Sequence, residues 1–183
     1  MNLRAFASAA AITLSCTLAS LAQAATFQVI PGDTTGASTF NRALSDFSAL
    51  SGVGTDNPYT AYTFTVSVSG DYIFNTTAAF DSFVFLYQNS FDPADATANG
   101  LAANDDLIYG SSFYASGFEV ALTAGTTYVY VVTGFDPTNY GAYSTTIAGP
   151  AVTVPVPEVQ TYLMMALGLC GLAVLRRRQF SER

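Results

Sequence analysis

Acidic and amide side chains form the group best able to do chemistry in this chain. The candidates lie around one predicted strand. One of them directly precedes that strand, and the other five fall in the connection that follows it. They are Asp81, Asp92, Asp95, Asn104, Asp105 and Asp106. Calcium prefers hard oxygen ligands on loops, although this spacing does not match the EF-hand loop. Aspartates in turns also cap backbone amides. Two interpretations are therefore open, a Ca²⁺ site or turn chemistry combined with solubility.

Tyrosines supply a second candidate surface. Ten of the eleven lie between residues 25 and 157, and the chain has no tryptophan. Exposed tyrosine rings can stack on sugars, and Tyr109, Tyr114 and Tyr140 lie near predicted loops, so they are the candidates for glycan stacking. The alternative is packing, because tyrosine is a favoured strand residue whose hydroxyl can still reach water.

The same region lacks the bases that most catalytic sites use. It has no histidine, lysine or cysteine. Nucleophilic catalysis needs a base beside the nucleophile, so Ser-His-Asp, Cys-His and Ser-Lys arrangements are excluded, as are zinc sites with nitrogen and sulfur ligands. Glu119 could join a glycosidase carboxylate pair, but its position between apolar strand residues favours an outward-facing, solvated side chain. We therefore expect no enzymatic activity and no catalytic residues.

The charge of residues 25–157 is strongly one-sided. Eleven acidic residues face a single cation, Arg42, which gives a net charge near −10. Such a surface repels nucleic acid, and it repels anionic polysaccharide unless a cation intervenes. No nucleic-acid partner is expected. Both cysteines, Cys16 and Cys170, lie in apolar end segments, so the region between them must be held by its core without a disulfide.

The first 24 residues are typical of a secretory signal peptide. Arg4 is followed by an apolar, alanine-rich run, and Ala22 and Ala24 are small residues that predict cleavage by signal peptidase before Ala25. The alternative is a lipoprotein modified at Cys16, which Leu14 fits poorly because it stands one place too late.

The last 34 residues have three parts. Residues 150–158 are rich in proline and predict an extended stalk without backbone partners. Residues 159–175 are apolar and would span about 25 Å as a transmembrane helix. Residues 176–183 form a basic tail in which Arg176, Arg177 and Arg178 would hold the end in the cytoplasm.

This order of motif, helix and arginines resembles the PEP-CTERM sorting signal of Gram-negative bacteria. The motif is Pro157, Glu158 and Val159, where the family usually has a second proline in place of Val159. The resemblance implies that an exosortase recognises and processes the tail. The alternative is a plain single-pass membrane anchor, which hydropathy and charge alone do not distinguish from a sorting signal.

Residues 25–149 predict an all-β ectodomain, an antiparallel sandwich of about six to eight strands. Thr26 to Ile30 predicts the first strand, Phe83 to Tyr87 a central strand covered on both faces, and Tyr140 to Ile147 the last. Residues 62–74 and 118–133 each predict a hairpin around a glycine turn. Residues 38–50 predict a short helix that covers the core.

Residues 59–150 also resemble the bacterial pre-peptidase C-terminal domain, a small jelly-roll-like sandwich often attached to secreted enzymes. The matching pieces occur in the same order in both. They are Tyr62-Thr63-Phe64-Thr65-Val66, Ser69-Gly70-Asp71-Tyr72, Asp81-Ser82-Phe83, Leu86-Tyr87, Asn104-Asp105-Asp106, residues 122–128 and Gly141-Ala142-Tyr143. The enzyme that usually accompanies such a module is absent from this sequence.

Together these features predict an exported protein of the cell surface or extracellular matrix with a structural or adhesive role. Its precursor would be anchored in the inner membrane, transiently or permanently, before it reaches the envelope or the outside of the cell. Exopolysaccharide is a candidate partner. The alternatives are a module that binds calcium or carbohydrate, and a plain membrane-anchored protein.

Overall fold

The computed structural model describes residues 26–107, 114–151 and 153–155. The expected signal peptide (1–24), transmembrane helix (159–175) and basic tail (176–183) lie outside these ranges. The candidate processing, sorting and stacking residues that also lie outside them are Ala22, Ala24, Ala25, Pro157, Glu158, Val159, Arg176, Arg177, Arg178 and Tyr109. Within the described ranges, no helix is long and apolar enough to cross a membrane.

The described chain contains ten strands, which confirms the all-β class. They are β1 (Thr26–Asp33), β2 (Thr39–Phe40), β3 (Asn57–Val66), β4 (Gly70–Ala78), β5 (Ser82–Gln88), β6 (Gly100–Asn104), β7 (Ala115–Leu122), β8 (Thr127–Gly134), β9 (Ala142–Gly149) and β10 (Thr153–Pro155). Only β2 and β10 are shorter than five residues, and these two short strands are the excess over the expected six to eight. The first predicted strand extends past its expected end through Pro31 and Gly32 to Asp33.

The strands form two antiparallel sheets that pack face to face. One has the order β1-β9-β4-β7, and the other has the order β10-β3-β8-β5-β6 with β2 paired to β3. Apolar side chains from both sheets meet between them, among them Phe64 of β3, Phe74 of β4 and Ile147 of β9. This arrangement confirms the antiparallel sandwich.

Both predicted hairpins are wrong. β3 and β4 belong to different sheets, as do β7 and β8, so the turns at Gly70 and Gly125 carry the chain from one sheet to the other. Both glycines have positive φ, 156° at Gly70 and 76° at Gly125. Glycine allows such a turn both in a hairpin and in a connection that crosses to the facing sheet. The turn residues alone therefore do not distinguish a hairpin from a crossing connection.

The prediction for the central strand is confirmed. β5 lies between β8 and β6, and its residues from Ser82 to Tyr87 are buried on both faces. Val84 and Leu86 face the core between the sheets, whereas Phe83, Phe85 and Tyr87 face a second apolar cluster on the other side of their sheet.

The predicted helix over residues 38–50 is wrong. This segment holds the two-residue strand β2 and an isolated bridge between Ala43 and Leu50. Its apolar residues Phe40, Ala43 and Phe47 pack in the second cluster, on the outer face of the larger sheet. Their helix-like spacing arose from a folded loop, and Phe47 has φ of 57°, outside the right-handed helical region.

The expected stalk has a backbone partner over part of its length. Thr153 to Pro155 pair with Phe64 to Val66 as an edge strand, which corrects the prediction that this proline-rich segment is unpaired. Proline is tolerated at such an edge because its missing N–H can lie on the side without a neighbour.

Candidate functional sites

The fold divides the predicted calcium residues into two groups. Asp81 directly precedes β5, whereas Asp92 and Asp95 follow its far end. β6 runs antiparallel to β5 and pairs Asn104 with Val84, so Asp105 and Asp106 return to the side of Asp81. The six residues therefore lie at opposite ends of one strand and do not form a single set.

Asp92 and Asp95 behave as turn residues. The Asp92 carboxylate accepts a hydrogen bond from Ala94 N at 2.9 Å, and that of Asp95 accepts one from the Thr97 hydroxyl at 2.8 Å. These contacts are the local capping that favours aspartate in turns. Asn104 is also structural, because its Nδ2 donates to Gly117 O at 2.6 Å and links β6 to β7.

Arg42 is the centre of the other group and was missed as a candidate residue. Only 3% of it is exposed. Its Nε donates to Phe135 O at 2.9 Å, and its guanidinium carbon lies 4.4 Å from the Phe83 ring centre and 5.0 Å from that of Phe135. The sequence did carry a signal, since Arg42 is the one cation between residues 25 and 157. Burial lowers the pKa of Arg42, and the charges of Asp105, Asp81 and Asp136 oppose that effect. Asp106 in turn acts on Asp81 and Asp105. We call Arg42, Asp81, Asp105, Asp106 and Asp136 the Arg42 cluster.

Burial and mutual repulsion perturb the acids of the Arg42 cluster. Burial, followed by the charges of Asp81 and Asp106, raises the pKa of Asp105 to about 6 against the attraction of Arg42. Burial also raises the pKa of Asp81, with Asp106 as the next cause. Arg42 therefore offsets the acidic charge only in part.

Several oxygen atoms near this end are buried without a hydrogen-bond partner in the described part of the chain. They are Oδ1 of Asp105, Oδ1 of Asp106 and Oδ1 of Asn57. Asn57 itself is fully buried, and its Nδ2 donates to Gly134 O at 2.6 Å. Even so, no three acidic, histidine or cysteine side chains among the described residues are grouped as a metal site requires.

A cleft brings two of the predicted stacking residues together. Tyr114 precedes β7 and Tyr140 precedes β9, and both line a cleft of about 480 Å³. The turn between β4 and β5 contributes Asp81 to it, and the loop between β8 and β9 contributes Thr138 and Asn139. We call this the tyrosine cleft. Thr138 and Asn139 were not singled out in the sequence, because the cleft forms where two loops that are distant in sequence, each crossing between the sheets, come together.

Glu119, the residue considered for a glycosidase pair, lies elsewhere. It is exposed on β7, where it pairs with Ile73 of β4. This placement confirms the outward-facing, solvated side chain expected from the strand pattern.

No protein-family model and no curated protein matches the chain. Among solved structures, it is similar to the 1.0 Å crystal structure of the pre-peptidase C-terminal domain of a collagenase from Bacillus anthracis, with a TM-score of 0.40 and 16% sequence identity. The match covers 66% of this chain and 87% of that domain.

Proposed function

We propose that this chain is an exported protein of the cell surface or extracellular matrix, sorted by an exosortase through its tail, with a structural or adhesive role. One observation carries the proposal: the single cation of the β-sandwich is buried. The sandwich lies between two terminal segments whose sequences are typical of export and sorting signals. The described sandwich therefore presents carboxylates to its surroundings without exposed cations to offset them.

That surface suits a protein that works outside the cytoplasm and without catalysis. Uncompensated negative charge keeps domains soluble and apart from nucleic acid. The chain between residues 25 and 157 offers neither imidazole nor amine nor thiol as a base or nucleophile. A role in contact or scaffolding needs only a stable surface, which the two packed sheets supply.

Cell fractionation tests the sorting part of the proposal. In cells that lack the exosortase, the full-length chain should accumulate in the inner membrane, and Glu158→Gln should have the same effect in normal cells. Glu182→Gln is the matched control, because it removes an acid beyond the arginines. If exosortase loss and Glu158→Gln leave the distribution unchanged, the tail is a plain single-pass anchor and the sorting proposal fails.

Calcium binding by the residues predicted for it stays a prediction, with Asp81, Asp105 and Asp106 as the members that lie close together. Two buried carboxylate oxygens, Oδ1 of Asp105 and Oδ1 of Asp106, favour it, because neither has a hydrogen-bond partner among the described residues. Against it, the described residues hold no complete group of metal ligands, and Arg42 already supplies positive charge. Thermal melting of the protein in millimolar calcium and in chelator tests whether calcium binds. A higher Tm with calcium in the normal protein and in Asp92→Asn, but not in Asp106→Asn, would establish a site. An unchanged Tm would remove it.

A further inference from the structure

We propose that the tyrosine cleft binds a neutral sugar ring of an extracellular polysaccharide. The inference specifies the adhesive role proposed above. It rests on that role because a protein of the cell surface or matrix is exposed to extracellular polysaccharide. The binding chemistry itself rests on the geometry of Tyr114, Tyr140, Asp81 and Asn139.

The two tyrosines are exposed in a way that the other described tyrosines are not. Tyr114 is 57% exposed and Tyr140 is 50% exposed, whereas each other tyrosine in the described ranges is buried or half-buried. At least half of each of these two side chains is therefore accessible to a ligand, whereas most of each other tyrosine is covered. Both line the same cleft, and exposed aromatic rings can offer apolar faces to the C–H surface of a sugar.

Polar groups at the same cleft can direct the hydroxyls. The Asp81 carboxylate can accept hydrogen bonds from two neighbouring sugar hydroxyls, and the Asn139 amide carries N–H donors. The volume of about 480 Å³ lies within the range of roughly 300–1,000 Å³ that is usual for small-molecule sites. Aromatic faces with a few convergent polar groups are what recognition of a sugar ring requires.

The loop that carries Asn139 is fixed before any ligand arrives. Asp136 N donates to Asn139 Oδ1 at 3.1 Å, and Asn139 N donates back to Asp136 O at 3.1 Å. Thr138 N also donates to the Asp136 carboxylate at 2.7 Å. A loop closed by its own hydrogen bonds loses little conformational freedom on binding, which favours affinity.

The opposite wall is tied to the sheets. Ala78 N donates to Tyr114 O at 2.8 Å, and Ala79 N donates to Ala142 O at 3.1 Å. The backbone at Tyr114 is thereby joined to the end of β4, and the turn after β4 is joined to β9. Both walls are therefore tied to strands, and Phe135 N also joins the two walls by donating to Asp81 O at 3.0 Å.

Charge selects the class of sugar. Asp81 lines the cleft and Asp136 lies in the loop beside it, while the one cation of the ectodomain, Arg42, is buried. A uronic acid or sulfated sugar would meet like charge at close range, which costs binding free energy. Neutral hexoses and pentoses meet no such repulsion.

Affinity electrophoresis of the full chain in a non-ionic detergent tests the proposal. The gels would contain galactomannan, xyloglucan or dextran as neutral probes, and polygalacturonate as the anionic probe. We expect retardation by at least one neutral polymer and none by polygalacturonate. Tyr140→Ala and Tyr114→Ala should each weaken binding about tenfold, as truncation of an aromatic anchor does. Tyr140→Phe, which keeps the ring, should retain most of the affinity.

Phe27→Ala is the matched control, because Phe27 is an aromatic residue that is 72% exposed on β1. It pairs with Ala148, whereas the cleft adjoins Ala142 at the other end of β9. Circular dichroism would confirm that each variant is folded. The proposal is overturned if no neutral polymer retards the protein, or if both alanine variants bind as well as Phe27→Ala. Blank gels together with normal exosortase-dependent fractionation would reject the sugar site alone.

Discussion

The guanidinium of Arg42 lies over the ring of Phe83, 4.4 Å from its centre. The Phe135 ring also contacts it, at 5.0 Å, and the Arg42 Nε donates to the backbone of that same residue. A cation in this setting exchanges water for two aromatic faces and a carbonyl oxygen. Arg42 thus ties the loop before β3 to the ends of β5 and β8, and it moderates the repulsion among the nearby aspartates.

Replacement of Arg42 by methionine should destabilise the protein at neutral pH. The change keeps most of the side-chain volume but removes the donors to Phe135 O and Ala43 O and the charge facing Asp81 and Asp105. We expect a loss of about 2–4 kcal/mol in the free energy of unfolding, measured by urea denaturation.

Arg42→Lys separates charge from geometry. Lysine keeps the positive charge but lacks the planar fork, so the loss should be smaller than in Arg42→Met. An Arg42→Met variant as stable as the normal protein at neutral pH would show that the cluster needs no internal cation.

Asp105 should make the protein less stable as pH rises from 4 to 7. Its pKa is raised from 3.8 to about 6 in the folded state, so between these values the folded protein holds a proton that the unfolded chain has released. Stability contributed by the protonated group is therefore lost as pH rises through the folded pKa.

Asp105→Asn should remove this dependence. We expect it to raise the free energy of unfolding at pH 7 by roughly 1–2 kcal/mol, allowing for solvent screening of a half-buried group, and to change it little at pH 4. Urea titrations at several pH values in calcium-free buffer give the difference. Asp71→Asn, at an exposed position on β4, is the control. A gain of equal size at pH 4 and pH 7 would contradict the titration of Asp105.

The positions of the strands follow from the sequence more directly than their pairing does. Alternation places Phe64 and Val66 on one face of β3 whatever the partner strand is, because side chains alternate along any strand. Pairing depends on which sheet the next strand joins, and the glycine turns at Gly70 and Gly125 permit either outcome. The helix predicted over residues 38–50 failed for a related reason. The spacing of Phe40 and Ala43 matches a helical face, but these residues pack on a sheet that the local sequence does not reveal.

The same distinction applies to the candidate sites, because the sequence shows which residues are suitable but only the fold shows which of them are neighbours. Tyr114 and Tyr140 could be picked out as loop tyrosines, yet their shared cleft depends on two loops that are far apart in sequence. Asp92 and Asp105 looked like members of one set because they share a connection, but a strand of that connection carries them to opposite ends of β5. A special role for Arg42 could be suspected because it is the one cation between residues 25 and 157. Its aromatic partners could be identified only from the fold.

Tyr130 should contribute to stability through its hydroxyl, which lies between the sheets. The hydroxyl is 2.8 Å from Thr76 Oγ1, which is in turn 2.6 Å from Thr145 Oγ1, and all three residues are buried. Tyr130→Phe leaves the threonines one partner short, so we expect a loss of about 1–2 kcal/mol in urea denaturation. Tyr62→Phe is the control, since the Tyr62 hydroxyl accepts a longer bond of 3.3 Å from Gln28 at a half-buried position. Equal losses in both variants would argue against a special role for the buried chain of hydroxyls.

Gly149 should tolerate no side chain, because the ring of Tyr72 occupies the space where a Cβ would lie. Tyr72 is fully buried, and its hydroxyl donates to Val68 O at 2.8 Å, so the ring is held at both ends and cannot move aside without loss of packing or of this bond. Gly149→Ala should therefore lower the free energy of unfolding by about 1–3 kcal/mol, as overpacking of a core does. Gly52→Ala is the matched control, since a Cβ there meets open space and should change stability by no more than about 0.5 kcal/mol. If thermal melting places the two variants at the same Tm, then β9 and β4 can separate enough to admit a methyl group, and the packing of Tyr72 against β9 is looser than its burial implies.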